Sequence, residues 1–444
     1  MNRANRLIKR TKAIVIGGSV AGLLSARVLS DYFERVVIVE KDKLPDTPQP
    51  RRGVPQSVQP HILFARGYRI LGELFPGVEA KLIANGALSV DWAKESKHFF
   101  AGHWGLTSEK PSNVVSVTCS RYVLEWTIRQ ELSKLPQINF LEADKVTGLI
   151  YDAEKNNIKG IYLRSQKTID ADLIVDASGR SSQALKWFEQ INVAAVPETA
   201  VDPFLGYATR RYKIPQDAKL NWKVLLISQT PPKDKRLGYL AKIENNELIA
   251  TLGGYGRDFP PLNDAGFREF AKSLAQPDFY EAIAISTPAS PIYAHRATAN
   301  RLRHYERVKL PTGFIALGDA VCALCPVYGQ GMTASALGAK ILQSWLQRSV
   351  NQKLDNNSFQ QQLAKSNASH WTLATSQDTR FPTTVGGTNK PSIIGNLMTG
   401  YANKLMNKSM HEPELHLLFV EVTHLLRLPL ALYHPRVVLQ VLTS

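Results

Sequence analysis

The sequence has few cysteines and lacks any long apolar run. Three of its 444 residues are cysteine, too few for the disulfide framework of a small secreted domain, so a reducing compartment suits the chain. No stretch approaches the roughly 18 uninterrupted apolar residues of a membrane span, and the apolar run at 13–16 is too short for the core of a signal peptide. We therefore expect a cytoplasmic protein of two or three structural units.

Acidic residues are also in deficit. The chain has 54 lysines and arginines against 38 aspartates and glutamates, a net charge of +16. Because no zinc-finger spacing, RNA-binding motif or long basic block accompanies this excess, we predict no nucleic-acid partner. A basic surface also attracts phosphorylated cofactors and anionic membranes, although a generally basic surface without a specific partner is the simpler interpretation.

The N-terminal region predicts a strand, a helix and a second strand within about 30 residues. Residues 12–17 are an apolar run that ends in glycines, 20–32 have helical periodicity, and 35–41 are a second apolar run. The connecting loop is Gly17-Gly-Ser-Val-Ala-Gly22. A dinucleotide-binding loop has glycine at the first, third and sixth positions, and here serine replaces the third.

The composition of this loop predicts a pyrophosphate site. Gly17 permits the tight turn, Gly22 lets the helix pack on the strand, and the small Ser19 allows close backbone approach. The free N–H groups of the helix N-terminus would then meet the phosphates. The predicted nucleotide-binding residues of the loop are Gly17, Gly18, Ser19, Ala21 and Gly22.

Glu40 ends the second predicted strand. A carboxylate at this position accepts hydrogen bonds from an adenosine ribose and repels a 2′-phosphate, which favours FAD or NAD over NADP at this site. The adjacent Lys41 is included in the predicted site. A tight strand-to-helix turn that binds no ligand is the alternative interpretation.

A second glycine-containing segment lies about 300 residues downstream. Leu317-Gly-Asp-Ala320 follows an apolar run, and Pro326-Val-Tyr-Gly-Gln-Gly-Met332 precedes a predicted helix. Together with the N-terminal unit, this pattern resembles the flavoprotein monooxygenases of the para-hydroxybenzoate hydroxylase superfamily, over roughly residues 12–350. The resemblance implies that Asp319 binds the ribityl chain of FAD and that the glycine loop approaches the isoalloxazine ring. The residues it assigns to the cofactor are Gly318, Asp319, Pro326, Gly329, Gly331 and Met332.

Two shorter segments extend the resemblance. The segment Asp176 to Ser181 is similar to the family's Asp-Gly segment, which contributes to binding FAD and the nicotinamide cofactor. Arg121 is similar to the arginine whose guanidinium lies near the flavin diphosphate, a good use of its bidentate geometry. Val146 is assigned to the cofactor site on the same resemblance. For Arg121, a solvated arginine at a helix start is the alternative.

The segment from Arg51 to His61 is the most distinctive part of the sequence. It resembles squalene-epoxidase-like bacterial flavin enzymes, in whose superfamily this loop runs along the flavin. The resemblance implies that Arg52 reaches FAD and that Gln56 and His61 line the ring or the nearby site. For His61, a structural hydrogen bond at a helix start is the alternative. No residue is assigned as catalytic acid or base.

The resemblance implies a single-component monooxygenase. NAD(P)H would reduce FAD, O2 would form a flavin C4a-hydroperoxide, and one oxygen atom would pass by hydroxylation or epoxidation to a lipophilic, electron-rich substrate. A prenyl or polyene reductase, a flavin-dependent halogenase and a non-catalytic FAD-fold escort for lipidated partners remain alternatives. The Trp-x-Trp-x-Ile-Pro signature of such halogenases is absent. No metal site is predicted, and a redox dithiol of Cys322 and Cys325 is the less favoured interpretation of that pair.

The predicted fold class is α/β with an α+β insert. It comprises a Rossmann-type FAD-binding domain, an interleaved antiparallel-sheet substrate domain and a helical C-terminal region. The predicted boundaries are 1–75, 110–180 and 310–350 for the FAD-binding domain, 76–109 and 181–309 for the substrate domain, and 351–444 for the C-terminal region. Residues 376–400 are expected to form a mobile loop. The tail, 413–442, contains an amphipathic helix that packs on the catalytic body or makes peripheral membrane contact.

Overall fold

The computed structural model describes residues 10–51, 53–100, 102–193, 195–350, 352–387 and 393–443. The helices are α1 Val20–Leu29, α2 Ala65–Leu74, α3 Val78–Ala84, α4 Arg121–Leu132, α5 Ala184–Gln190, α6 Asp264–Lys272, α7 Asp278–Ala284, α8 Gly331–Arg348, α9 Asn356–Asp378, α10 Ile393–Ser409, α11 Pro413–Thr423 and α12 Pro435–Leu442. The strands are β1 Arg10–Ile16, β2 Phe33–Val39, β3 Leu88–Asp91, β4 Ser96–Phe100, β5 His103–Trp104, β6 Val115–Thr118, β7 Ile138–Leu141, β8 Val146–Asp152, β9 Asn157–Leu163, β10 Thr168–Asp170, β11 Leu173–Asp176, β12 Glu198–Asp202, β13 Gly206–Lys213, β14 Val224–Ile227, β15 Arg236–Ile243, β16 Glu247–Gly254, β17 Thr287–Pro288, β18 Tyr293–His295, β19 Asn300–Arg303, β20 Phe314–Ala316, β21 Cys322–Ala323 and β22 Val385–Gly386.

A five-stranded parallel sheet carries the N-terminal nucleotide loop. Its strand order is β20-β11-β1-β2-β7, and every neighbouring pair is parallel. The strands are short and apolar because both faces are covered by helices, as parallel sheets require. Side chains from the sheet and from α1, α4, α8 and α9 form one buried core, which includes Ile14, Val15, Leu23, Val36, Ile128, Ile174, Ile315, Leu342 and Phe359.

The carboxyl ends of these strands meet at one edge of the sheet. In the β1–β11 ladder Ile16 pairs with Asp176, and in the β11–β20 ladder Asp176 pairs with Ala316. The loops that follow β1, β11 and β20 are therefore neighbours. The connection from β1 leads to β2 on one side, while β11 lies on the other, which makes this edge a topological switch point. Ligands of open α/β sheets bind in such crevices.

A larger sheet forms a second layer. Its order is β17-β13-β16-β15-β14-β4-β5, with β18 pairing to β13, and its pairs are antiparallel except that β14 runs parallel to β4. The alternating pattern of residues 200–255 predicted an antiparallel sheet there, and β13 to β16 form one; the pairing with β4 was not predicted. Helices α6 and α7 cover one face with Phe267, Phe270 and Phe279. The mixed α/β fold predicted from the sequence is thereby confirmed, whereas the proposed domain boundaries stay a prediction.

The C-terminal region is more regular than its composition predicted. The expectation of a loop over 376–400 is wrong in part: residues 379–384 are irregular, but α9 continues to Asp378, β22 pairs with β12, and α10 begins at Ile393. Residues 388–392 lie outside the described part of the chain. The predicted amphipathic tail forms α11, which buries Leu415 and Val422. Among the described residues, no helix is long and apolar enough to cross a membrane.

Candidate functional site

The loop between β1 and α1 depends on two glycines. Gly17 has a φ of +103°, and a Cβ there would lie 2.7 Å from the carbonyl oxygen of Ala177 in the neighbouring β11 loop. A Cβ on Gly22 would lie 1.8 Å from the carbonyl oxygen of Gly17. Because real Cβ atoms cannot approach so closely, both positions require glycine for α1 to begin directly after the strand.

Glu40 closes the loop from the end of β2. Its Oε2 accepts a hydrogen bond of 2.8 Å from the backbone N–H of Gly18, and its Oε1 accepts one of 3.2 Å from that of Asp42. The side chain is 5% exposed. The predicted residue therefore lies at the nucleotide loop, where its carboxylate is held by backbone groups of two segments. The adjacent Lys41 is exposed, and its contact with a cofactor stays a prediction.

A buried network of arginines and glutamates surrounds this loop. Arg51 Nη2 lies 2.6 Å from Glu125 Oε1, and Arg51 Nη1 lies 3.2 Å from Glu40 Oε2. Arg121 Nη2 donates to Ser19 Oγ at 2.8 Å, and Ser19 Oγ donates to Glu125 Oε2 at 2.8 Å. Arg121 thus lies beside the N-terminus of α1, and its predicted contact with a diphosphate stays a prediction. Arg51 and Glu125 were not among the predicted residues, and the predicted Arg52 lies outside the described residues.

One buried nitrogen of this network is available to an anion. Arg121 Nη1 makes no hydrogen bond within the described residues, whereas Arg51 Nη1 lies 3.2 Å from Glu40 Oε2 and 3.5 Å from Asp42 Oδ2. The first turn of α1 contains no acidic residue, and Ser19 does not cap it. A buried N–H without a partner costs roughly 1–3 kcal/mol, and a helix N-terminus favours negative charge. These groups therefore fit a diphosphate.

Asp319 lies on the other side of the crevice, at the N-terminus of α8. Burial raises the pKa of its carboxyl, while Arg180 and Arg121 oppose the shift. A Cβ on Gly331 would lie 3.8 Å from Asp319 Oδ1, and one on Gly318, whose φ is +61°, would lie 2.8 Å from the Cβ of Ala21. The two glycine loops of the sequence thus pack against each other across 300 residues of chain.

Asp176 has a different environment from that of Asp319. It is fully buried, and its two carboxylate oxygens accept hydrogen bonds from Ser178 and Ser182. The carboxylate therefore shapes the loop after β11, and its predicted contact with a cofactor stays a prediction. Val146 is 4% exposed and belongs to the core of the parallel sheet, and its cofactor contact likewise stays a prediction.

The predicted ring-binding loop precedes α8. Gly329 has a φ of +64°, Pro326 is exposed and Met332 is 8% exposed. The side chain of Gln330 lies 3.1 Å from His370 Nδ1, on α9. The loop is thereby placed between the N-terminus of α8 and the C-terminal helices.

His61 faces the same group of charges. Its Nδ1 donates a hydrogen bond of 3.0 Å to the carbonyl oxygen of Gln59. Burial, followed by the nearby positive charge of Arg121, lowers the pKa of His61 to about 3, so the imidazole is neutral at pH 7. It is therefore suited to accept or relay a hydrogen bond rather than to act as a cation. Gln56 lies in the turn Pro55–Val58 beside it.

Two clefts open beside this turn. One is lined by Arg51, Arg121 and Glu125 among others. The second lies between the turn and β13 and is lined by Tyr122 and Thr209 among others. Ser57 lines both, and its buried hydroxyl has no partner in the described structure.

The two cysteines beside Asp319 are buried free thiols. Burial raises the pKa of Cys322 to about 12 and that of Cys325 well above its usual value. Because the thiolate is the reactive form, we expect iodoacetamide at pH 8 to alkylate both at least about 100-fold more slowly in the native protein than in urea. Mass spectrometry of timed aliquots measures this, and rapid native labelling would favour an accessible redox dithiol instead.

No protein-family model matches the chain. Protein Rv3254 of Mycobacterium tuberculosis is 31% identical over 339 residues, which cover 74% of this chain and 71% of that protein.

Solved structures with similar folds are flavoproteins. The flavin-dependent halogenase CmlS superposes with a TM-score of 0.67 at 15% identity, over 94% of this chain and 77% of that one. The flavin-dependent brominase Bmp2 gives 0.65 at 13%, over 92% and 93%. PqsL of Pseudomonas aeruginosa, described as a probable FAD-dependent monooxygenase, gives 0.59 at 15%, over 92% and 98%. At these identities the likeness shows the fold.

Proposed function

Since this chain belongs to the family of the mycobacterial protein Rv3254 and has the fold of flavin-dependent monooxygenases and halogenases, we propose that it is an FAD-dependent monooxygenase. It would use NAD(P)H and O2 to insert one oxygen atom into a lipophilic, electron-rich substrate. The observation that carries the proposal is the buried Arg121 Nη1, which has no partner in the described part of the chain and lies beside the N-terminus of α1.

Different residues around the crevice would bind different parts of FAD. Arg51, Arg121 and the N-terminus of α1 would neutralise the diphosphate, as bidentate cations and helix termini do. Glu40 would accept hydrogen bonds from the adenosine ribose, and Asp319 from the ribityl chain. Bound FAD would supply electron transfer from NAD(P)H and the activation of O2. The neutral His61 would offer a hydrogen-bonding group near the ring without adding charge.

The substrate side would be the face of the large sheet that meets the loop before α8. An apolar cluster lies there, formed by Leu205, Tyr207, Leu237, Tyr255, Cys325 and Phe381. Its aromatic and aliphatic character supports a lipophilic substrate such as a polyene or prenylated aromatic. These side chains are packed in the core, each at most 7% exposed, so they would form an apolar wall behind the substrate and keep water from it.

The experiment is substrate-dependent NAD(P)H oxidation by the purified FAD-loaded protein under isotopically labelled O2. A monooxygenase incorporates one labelled oxygen atom into a lipophilic alkene or arene, and product mass shows it. Turnover of small charged aromatics alone would contradict the proposed substrate class. Reduction of the alkene without label would identify a reductase, and flavin binding without turnover of any candidate would favour the non-catalytic escort.

Flavin-dependent halogenation is the second candidate, favoured by the likeness to Bmp2 and CmlS. The same assay with added bromide or chloride distinguishes it, because a halogenated product replaces the oxygenated one. The absent Trp-x-Trp-x-Ile-Pro signature supports the monooxygenase. We also propose that the protein is cytoplasmic, with or without peripheral membrane contact through residues 413–442.

A further inference from the structure

A buried carboxylate lies outside the predicted cofactor site. Asp378, the last residue of α9, is 0% exposed. The Tyr328 hydroxyl donates to its Oδ1 at 2.6 Å, the Tyr255 hydroxyl to the same oxygen at 3.2 Å, and Asn300 Nδ2 to Oδ2 at 2.6 Å. One side chain thus receives three hydrogen bonds from three separate segments.

Those segments converge on the loop from Cys325 to Gly331. Tyr328 belongs to the loop itself, and Asn300 on β19 accepts a second hydrogen bond, of 2.7 Å, from the backbone N–H of Cys325. The carboxylate therefore holds the loop directly through Tyr328 and indirectly through Asn300. Tyr255 follows β16 of the large sheet and is fixed by stacking on Phe381, with ring centroids 4.2 Å apart.

Burying the Asp378 carboxylate costs free energy of folding, so its presence indicates a specific role. A buried carboxylate must be desolvated, and an apolar group of the same size would often be at least as stabilising. What a fully satisfied polar network does supply is a unique relative position of the segments that it joins. Here the segment that gains a defined position is a loop with glycine at 329 and 331, which has little rigidity of its own.

We propose that Asp378 is a positioning residue that fixes the Cys325–Gly331 loop, and with it the ring end of the cofactor site, through the Tyr328 hydroxyl and Asn300. The link to the flavin ring rests on the proposed function. The contacts that hold the loop are present in the protein without ligand. Helix α9 is thereby coupled to the site, although it contributes no residue to the predicted cofactor contacts.

How firmly Asp378 holds the Cys325–Gly331 loop depends on whether its carboxyl group is protonated. Burial raises the pKa of this carboxyl to about 6, although the three hydrogen bonds oppose the shift. Other titratable groups that face it are Tyr255, Tyr328, Tyr207, Cys325 and Asp202. Burial keeps the protons on the three tyrosines and on Cys325 around pH 6, so Asp378 changes charge in this range. Ionised, it accepts all three hydrogen bonds as a charged group; protonated, it is neutral and its hydrogen bonds to Tyr328, Tyr255 and Asn300 are weaker.

The test is amide hydrogen exchange of residues 325–331 in the full-length protein without ligand, followed by FAD binding. We expect Asp378→Asn and Tyr328→Phe to speed exchange of these amides about tenfold at pH 7.5, because one hydrogen bond to a charged group is lost. Tyr151→Phe is the matched control, because it removes a hydroxyl that donates to Asn156 in the turn between β8 and β9 and should leave exchange of the 325–331 loop unchanged. In the wild type, corrected exchange should rise below pH 6, and in Asp378→Asn it should not.

FAD affinity then separates the two proposals. If the loop loosens and FAD binds about tenfold more weakly in both variants, both proposals are supported. If the wild type binds no FAD but the loop still loosens, the proposed function fails and the hold on the loop stands. Unchanged loop exchange in Tyr328→Phe, which keeps the buried carboxylate and its other partners, overturns the inference even if Asp378→Asn does not fold.

Discussion

Arg121→Met is expected to weaken FAD binding about 100-fold while the chain stays folded. The substitution removes the unpaired Nη1 that we assign to the diphosphate together with the Nη2 that holds Ser19 at the start of α1, and each hydrogen bond to a charged group contributes about 1.5–3 kcal/mol. Folding should survive because Glu125 keeps its 2.6 Å ion pair with Arg51. Fluorescence titration of FAD measures the dissociation constant.

Arg27→Met is the matched control for this prediction. Arg27 is an arginine of α1 itself, but it lies at the opposite end and pairs with Asp31 and the carbonyl oxygen of Leu74. We expect its variant to bind FAD within about twofold of the wild type, since it contacts no group near the loop. If Arg121→Met also bound within twofold, Arg121 would not be a ligand of the diphosphate.

Gly22→Ala is expected to lower the free energy of unfolding by about 3 kcal/mol or more and to abolish FAD binding. A Cβ at this position would lie 1.8 Å from the Gly17 carbonyl oxygen, and neither atom belongs to a flexible side chain. The helix must therefore shift away from the strand, which removes the anion site at its N-terminus. Urea unfolding followed by circular dichroism measures the loss.

Gly338→Ala in α8 is the control for this effect. The nearest atom to a Cβ there is Leu363 Cδ1 at 3.5 Å, which is ordinary contact. Alanine in a helix interior is favoured over glycine by roughly 0.5–1 kcal/mol, so this variant should be as stable as the wild type or slightly more stable. Equal losses in the two variants would show that the Gly22 contact has no special role.

The elements predicted best are those whose requirements are local. The first strand, the glycine turn and α1 were predictable because glycines at 17 and 22 and the apolar runs are needed within 30 residues of each other. Asp319 was assigned from the resemblance carried by Leu317-Gly-Asp-Ala320, and its contact with a cofactor stays a prediction. The loop expected at 376–400 was wrong in part because threonine, glycine and proline content does not show how far α9 and α10 extend.

Contacts between distant segments could not be predicted in this way. Arg51, in the loop after β2, pairs with Glu125 of α4 and with Glu40 at the end of β2, and the sequence around Arg51 does not show these partners. Asp378 has no motif around it, and its donors come from three other segments. Contacts of this kind depend on how the chain packs, so they can be recognised only once the sheets and helices are assembled.

The measurement that tests the central claim most directly is titration of the purified full-length protein with FAD, followed by absorption and fluorescence. The account predicts saturable binding of one FAD per chain, with flavin bands shifted from those of free FAD, and loss of that binding in Arg121→Met but not in Arg27→Met. Absence of saturable binding in the folded wild-type protein would contradict it, because the unpaired Arg121 nitrogen and the glycine loop would then serve another ligand.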